Sequence, residues 1–470
     1  MILPPGLRPE GSKHAGRPWL QPFPVLPVAI AATMGMVGCD AGSSAGGVPA
    51  DGAAVTIRDS AGVEIVENHA PEQPQGQFWT LAAEPGFVLG GREGVSGARA
   101  EADRDDRDGK ILYVRGLARL VDGRIAVLSE GNHRLFIFES SGKLSKAIGG
   151  RGEGPGEFSR PVRMQYLPPD TLAVWDQWMG PVTYFDTAGV VVKRRPIDLG
   201  KLLAAVPGAS YESPVIPLPD GSLVVTVRRR DPQFARPPAG TLVRYPPVEY
   251  VRVDLETYDA RSLGVWDGEE KWAVPTDVLA TYPVLRERID GQHGLSSTDQ
   301  VMTSHLEVGG RDAAIYVANG ERNEIRQFSF DGSLLRIIRR TISPVVVTAK
   351  ADRSWRGHLL ELAGPQGRDL GVEAWPRREH HPAVAGLSVD TDGYLWIREW
   401  SESESGMTDQ WSVFGPEGRW LGVLRMSAIP WLCRHGTCWI DRDWLVVLRL
   451  DALGVERIEG YRIRRDDHER

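Results

Sequence analysis

Cysteine is scarce in this chain of 470 residues, which contains only Cys39, Cys433 and Cys438. The last two flank four residues that are typical of a hairpin turn, and in an oxidising compartment they would form a small-loop disulfide. A zinc site would need two further ligands nearby, and His435 is the candidate at hand. We therefore predict a disulfide between Cys433 and Cys438, with two free thiols as the alternative.

An excess of positive charge and the common catalytic motifs are also absent. The formal net charge is -7 and the isoelectric point is about 5.9, which argues against a nucleic-acid partner because phosphate backbones bind to basic surfaces. The sequence has no HExxH motif, no paired CxxC motif and no Ser/His/Asp arrangement. The sequence therefore gives no support for nucleophilic catalysis, and it favours a protein that is not an enzyme.

The apolar run near the N-terminus, residues 24–38, is too short to span a bilayer comfortably. Lys13 and Arg17 precede it and small residues end it, so residues 1–38 are predicted to be a secretory signal peptide. Residues 39–55 are rich in alanine, glycine and serine, which predicts a flexible tether.

The end of that signal, Met36-Val37-Gly38-Cys39, resembles the lipobox of bacterial lipoproteins. In that family the signal is cut just before the cysteine, which is acylated. The resemblance implies an exported protein that Cys39 anchors to a membrane of the cell envelope, facing the periplasm or the exterior. An ordinary signal peptide that ends near a cysteine is the alternative.

Turn-forming residues are abundant, with 53 glycines and 34 prolines, and they separate a recurring pattern of short strands. Residues 117–128 predict two strands around Asp122-Gly123, a dipeptide that favours tight hairpins. Residues 132–148 predict a second strand pair, which completes a four-stranded unit. The pattern returns, least regularly in the last copy, at 166–189, 215–254, 314–338, 387–424 and 444–463.

These copies predict an all-β protein, a six-bladed β-propeller of four-stranded antiparallel blades with short helical insertions, over residues 56–470. A single blade cannot bury both of its faces, so the set must close into a ring. We expect an N-terminal strand from residues 63–66 or 78–89 to complete the last blade.

Three long insertions separate the later copies, at residues 228–247, 271–299 and 347–382. The first is predicted to be a loop, and residues 355–364 have the apolar spacing of a short helix. Long ordered loops on a rigid scaffold often carry binding. The arginine clusters at 228–230 and 339–340 are interpreted as solvated loops or as ion pairs within a blade, with contact to an anion or acidic polymer on one face as the alternative.

Residues 132–158 resemble the NHL-repeat propellers, from the Asn-x-Arg strand to the segment that ends in Gly-Glu-Phe. Residues 56–465 further resemble a group of exported bacterial six-bladed propeller proteins, which implies fold and export but no settled activity. The glycine run 149–156 lacks the Lys-Ser/Thr of a phosphate loop. We interpret it as a crossover between blades, with Phe158 in the core.

Some six-bladed lyases and lactonases hold a metal in the central channel, so carboxylate and imidazole groups near inner strands are of interest. Asp176, His305 and Glu399 are the speculative channel-mouth residues, although no spacing signature supports them and a structural role is favoured. The leading hypothesis is a non-catalytic binding or scaffold module of the cell envelope for a protein, peptide or glycan, with no cofactor. The alternative is a hydrolase or lyase that uses a divalent metal in the channel.

Overall fold

In the computed structural model, short antiparallel strands follow one another from Val55 to Arg464, as the repeat pattern predicts. The predicted signal peptide, Cys39 and nearly all of the tether lie outside the described residues. The structure describes residues 53–73, 78–90, 111–177, 180–207, 216–218, 220–228, 241–243, 248–266, 271–273, 276–281, 305–309, 314–318, 322–363, 379–381, 383–400, 407–426, 436–450 and 454–465.

Five blades each take their four strands from one continuous stretch of chain, with neighbouring strands antiparallel. Blade 1 consists of Val114–Arg119, Ile125–Ser129, Arg134–Phe138 and Leu144–Gly149. Blade 2 consists of Pro161–Leu167, Thr171–Asp176, Val182–Asp186 and Val191–Arg195. Blade 3 consists of Ile216–Pro217, Leu223–Arg228, Val248–Val253 and Ala260–Trp266. Blade 4 consists of His305–Gly309, Ala314–Ala318, Glu324–Phe328 and Leu334–Arg340, and blade 5 of Gly386–Val389, Leu395–Trp400, Met407–Phe414 and Trp420–Arg425.

Blade 6 combines the two ends of the chain. Its first three strands are Cys438–Ile440, Trp444–Leu450 and Glu456–Arg464, and its outer edge is formed by Phe87–Leu89 and Thr80–Leu81. The expectation that residues 78–89 complete the last blade is therefore confirmed. The six sheets give the protein its six-bladed β-propeller fold.

The other candidate strand, residues 63–66, joins a different blade. Val55–Ser60 and Val63–Asn68 form a hairpin whose second strand pairs in parallel with Leu334–Arg340, the outer strand of blade 4. The chain then bonds to the outer strand of blade 5, where Glu72 N donates to Trp420 O at 2.9 Å, before it reaches blade 6. We call residues 53–90 the belt, because this segment covers the outer edges of three consecutive blades.

Asn68 fastens the belt between blades 4 and 5 and is completely buried. Its Nδ2 donates to Arg339 O at 3.1 Å and to Gly418 O at 3.0 Å, and its Oδ1 accepts from Trp420 N at 2.7 Å. One amide side chain thereby satisfies three backbone groups of two blades, which an apolar residue could not do.

The two ends of the ring differ in the length of their connections. Strands alternate in direction, so the turns between strands 1 and 2 and between strands 3 and 4 all leave one end, which we call the turn face. None of these turns exceeds the six residues 254–259 between Val253 and Ala260. The remaining connections leave the opposite end, the insertion face, and include the long segments 196–215, 229–247, 267–304 and 341–385.

All described helices belong to the insertion face: Leu199–Ala205, Thr276–Thr281 and Ala349–Ala363. The last confirms the helix predicted over 355–364 and begins earlier in the sequence. The prediction of a plain loop over 228–247 was wrong in part, because Thr241–Val243 pairs with Lys271–Ala273 of the next insertion. Two extended segments of neighbouring insertions gain backbone hydrogen bonds by pairing with each other.

The glycine run joins blades 1 and 2, as interpreted from the sequence, and Phe158 at its end is fully buried. Phe158 N donates to Gly150 O at 2.9 Å, so the run folds back onto its own start. Gly149 has a positive φ of +94°, and a Cβ there would lie 2.7 Å from Phe158 Cε2 and 3.0 Å from Gly156 O. Glycine is needed at this position for conformation and for space.

Replacing Gly149 with alanine is expected to destabilise the protein by about 2–4 kcal/mol, from a left-handed backbone and an overpacked core. The matched control is Gly62→Ala, at a φ of +82° with no atom within 4 Å of its Cβ, which should cost about 1 kcal/mol. Chemical denaturation followed by tryptophan fluorescence measures both. Equal losses would show that the crossover tolerates a side chain.

Candidate functional site

Asp176, the first predicted channel-mouth residue, ends the second strand of blade 2 and is buried. Its Oδ2 accepts from Ser159 N at 2.8 Å and its Oδ1 from Arg160 N at 2.5 Å. The carboxylate therefore holds the crossover from blade 1, the structural role favoured from the sequence.

Glu399, the second predicted residue, forms an ion pair with Arg340 across the joint between blades 4 and 5. The Arg340 side chain is only 2% exposed, and its Nη2 also donates to Asn323 Oδ1 at 3.1 Å and to Ala383 O at 3.0 Å. His305 begins the first strand of blade 4, opposite Ala318. Asp176 and Glu399 belong to different blades and have different partners, so the structure does not join them in one site.

The first strands of blades 1, 2 and 6 pack closely together. A Cβ on Gly116 would lie 2.5 Å from Met164 Cβ, so only glycine lets these two strands approach. The rings of Tyr166 and Trp439 meet with centroids 5.7 Å apart. Among the described residues, no group of three or more His, Cys, Asp or Glu side chains is arranged to hold a metal ion. The prediction of no cofactor stays a prediction, and so does its alternative, a divalent metal in the channel.

The cysteine predictions fall partly outside the described residues. Cys438, at the start of blade 6, is disulfide-bonded. Cys433 and Cys39 lie outside the described residues, so the pairing with Cys433 and the acylation of Cys39 stay predictions. No helix in the described part of the chain is long and apolar enough to cross a membrane.

The insertion face of blades 1 and 2 carries two arginines that share one carboxylate. Arg115 Nε donates to Glu130 Oε2 at 2.5 Å, and Arg160 Nε donates to Glu130 Oε1 at 2.7 Å. Burial alone would raise the pKa of Glu130, but the two guanidinium groups hold that pKa below its usual value. Glu130 is therefore ionised at neutral pH and keeps both arginines in place.

Next to this pair, Tyr113 is 66% exposed and adopts a positive φ of +54°, unusual for a bulky residue. Leu112 beside it is also exposed. Nearby, Glu456 Oε2 accepts from Val114 N at 3.1 Å, and burial raises the pKa of this carboxyl. An exposed aromatic ring on a strained backbone is a recurrent feature of binding surfaces.

A cavity of about 330 Å³ opens where the belt meets blade 4 on the insertion face, and we call it the blade-4 cavity. All of its lining residues are polar or charged, and three of them carry guanidinium groups. The belt contributes one residue, the loop between strands 2 and 3 contributes two, and the strand ends contribute the rest. Its lining residues are Glu67, Arg322, Asn323, Glu324, Arg339, Arg340 and Thr341.

Ion pairs fix most of the charged groups around the blade-4 cavity. Glu324 accepts from Arg326 Nε at 2.9 Å and from Arg339 Nε at 3.0 Å. Burial alone would raise the pKa of Glu324, yet these two arginines hold that pKa below its usual value. Arg339 thus forms the kind of ion pair within a blade that the sequence interpretation favoured, whereas Arg340 pairs with Glu399 of the next blade.

Sequence reasoning missed the cavity as a site. Glu67 lies more than 250 residues away in the chain from Arg322 and Arg339, and no local pattern connects them. The only signal was the pair Arg339-Arg340 at a strand end, which marks charge but does not show what surrounds it. The parallel pairing of the belt with blade 4 brings these residues together.

Comparison with known proteins agrees with the fold. Residues 112–190 match the model of a family described as a 6-bladed beta-propeller. The RING finger protein nhl-1 of Caenorhabditis elegans is 35% identical over 51 residues, which are 11% of this chain and only 5% of that relative's length. These matches support a six-bladed propeller with an NHL-like repeat.

Solved structures resemble the chain at low sequence identity. A Bacteroides fragilis protein described as exported has a TM-score of 0.44 and 11% identity, covering 85% of this chain and 99% of that one. A gluconolactonase of Xanthomonas campestris has a TM-score of 0.35 and 12% identity, covering 82% and 99%. Likenesses this distant say nothing about activity.

Proposed function

We propose that this protein is a binding module of the cell envelope that holds a protein, peptide or glycan on its insertion face. The observation that carries the proposal is the difference between the two ends of the ring. One end has only short turns, whereas the other bears every long connection and every described helix. Long connections on a rigid scaffold are the usual carriers of binding.

Export and anchoring are part of this proposal. The signal-like residues 1–38 and the lipobox-like Met36-Val37-Gly38-Cys39 support delivery to the envelope and a lipid anchor at Cys39. A disulfide at Cys438 suits an oxidising compartment rather than the cytosol. The tether over 39–55 would then let the propeller present its insertion face at a distance from the membrane.

The surface around Tyr113 supports contact with a partner. Tyrosine offers a large contact area with one polar end and loses little conformational entropy on binding. Beside it, Arg115 and Arg160 each use only Nε on Glu130, so their Nη groups make no hydrogen bond with the described residues. These groups are exposed donors held in position before any ligand arrives.

A pair of photo-crosslinking positions tests the proposal. Tyr113 precedes the first strand of blade 1, and Val121 follows that strand at the other end of the ring. They are 66% and 75% exposed, so they are matched in accessibility and differ in face. With a photoreactive phenylalanine analogue at one position at a time in the full chain, we expect discrete adducts from position 113 in cell envelopes.

Position 121 should give none above the level of the unirradiated protein. Adducts are resolved by gel mobility and mass spectrometry, so that a glycan and a protein are both detected. Equal labelling from the two positions, or labelling from position 121 alone, would refute the insertion face as the binding surface. The absence of adducts from both would do the same.

A further inference from the structure

We propose that the blade-4 cavity binds the carboxylate of an acidic sugar, either free or as a residue of a glycan. This inference rests on the proposed function, since it names a ligand class for a site on the insertion face. It is carried by unused hydrogen-bond donors, by their fixed positions and by the balance of charge around the cavity.

The cavity contains guanidinium donors that the protein does not use. Arg322 is exposed and forms no ion pair or hydrogen bond with the described residues. Arg339 directs Nε to Glu324 at 3.0 Å and Nη1 to Glu67 at 3.4 Å, which leaves Nη2 without a partner among the described residues. Guanidinium groups bind carboxylates through paired, charge-assisted hydrogen bonds.

Two of the groups that face the cavity, Arg339 and Asn323, are held in place by partners that are buried or partly buried. Both oxygens of Glu324 are engaged, one by Arg326 and one by Arg339, so this carboxylate orients Arg339. Asn323 Oδ1 accepts from Arg340 Nη2 at 3.1 Å, which assigns the Nδ2 group of Asn323 as a remaining donor. Folding therefore orders Arg339 and Asn323 before a ligand binds.

Positive charge prevails around the cavity in a protein whose net charge is -7. The lining residues, all of them among the described ones, supply three guanidinium groups against two carboxylates. The guanidinium groups are those of Arg322, Arg339 and Arg340, and the carboxylates are those of Glu67 and Glu324. An anionic ligand would neutralise this excess of positive charge.

The remaining lining groups suit hydroxyls. Glu67 uses Oε1 for both Arg58 and Arg339, so its Oε2 is an open acceptor. Thr341 Oγ1 lies 3.2 Å from His69 Nδ1 and contributes a hydroxyl to the wall. Sugar hydroxyls both donate and accept, and they match such a mixture of groups better than an apolar acid would. A volume of about 330 Å³ is at the small end of ligand sites, which fits a single sugar ring.

Titration calorimetry of the full chain with galacturonate, galactose and inorganic phosphate tests the assignment. We expect galacturonate to bind and galactose to bind about tenfold more weakly or not at all, because it lacks the charge-assisted bonds. Arg322→Ala should weaken galacturonate binding by about tenfold without moving the melting curve, because Arg322 has no partner to lose among the described residues. Arg353→Ala is the matched control, since Arg353 is an exposed arginine of the insertion-face helix Ala349–Ala363, outside the cavity.

Several outcomes would overturn the inference. Equal binding of galactose and galacturonate would show that the cavity does not recognise the carboxylate. Equal binding of phosphate and galacturonate would show that the cavity binds oxyanions in general. Equal losses in the Arg322 and Arg353 variants would place the site elsewhere. No binding of any probe would refute the inference, while adducts from position 113 would still uphold the binding function.

Discussion

Replacing Arg340 with alanine is expected to lower the free energy of unfolding by about 3–5 kcal/mol, the usual cost of breaking a buried ion pair. The side chain is 2% exposed and joins Glu399, Asn323 and Ala383 O at the joint of blades 4 and 5. Its guanidinium also lies over the Trp420 ring, 5.8 Å from the centroid. Alanine would leave Glu399 without its cation and the amide and carbonyl without their donor.

The adjacent Arg339 provides the matched control for this variant. Arg339 also pairs with two carboxylates, Glu324 and Glu67, but its side chain is 38% exposed. Water can therefore replace its interactions, and Arg339→Ala should cost only about 0–1 kcal/mol. Chemical denaturation of both variants measures the difference. Similar losses at the two positions would mean that the buried joint does not depend on Arg340.

Replacing Asn68 with alanine is expected to destabilise the protein by about 3 kcal/mol, because it leaves buried backbone groups without partners. The carbonyl oxygens of Arg339 and Gly418 and the N–H group of Trp420 lose the hydrogen bonds that this amide makes with them. Water has little access, since Asn68 is fully buried. The belt should then detach from blades 4 and 5 more readily than the ring itself unfolds.

Denaturation and limited proteolysis together test this expectation. Cleavage within residues 53–90 should become faster in the Asn68 variant, before the rest of the chain is digested. Ser60→Ala, at an exposed end of the same hairpin, is the control and should change neither measurement. Unchanged stability and unchanged cleavage in the Asn68 variant would show that strand pairing alone holds the belt.

Both variants act where the blade-4 cavity is built, so stability and binding need separate probes. Arg340 supports Asn323, and the pairing that Asn68 secures carries Glu67 to the cavity wall. Loss of binding in either variant would therefore report a damaged scaffold. Arg322 is the better position for testing recognition, because it lines the cavity without structural partners among the described residues.

The sequence by itself determined the fold class, the number of blades and the positions of most strands. Alternating apolar residues and Asp-Gly turns act over a few neighbours, and these local signals recur at a regular spacing. Closure of the last blade by an N-terminal strand also followed, since a ring of blades needs a last strand to remove its open edge, but the choice of residues 78–89 over 63–66 did not. The crossover function of the glycine run followed from the absence of phosphate-loop chemistry.

Only the tertiary structure decided how the belt runs and where a ligand site forms. The sequence of residues 63–66 suits a strand at any open edge, and the choice of blade 4 depended on partners such as Asn68 and Arg339, 271 residues apart. The sequence favoured a structural role for the channel-mouth candidates but gave no partners, and only the fold shows which neighbours in space engage Asp176 and Glu399. Periodicity carries strand and turn information because those depend on nearby residues, whereas burial, ion pairing and cavities depend on which distant segments the ring brings together.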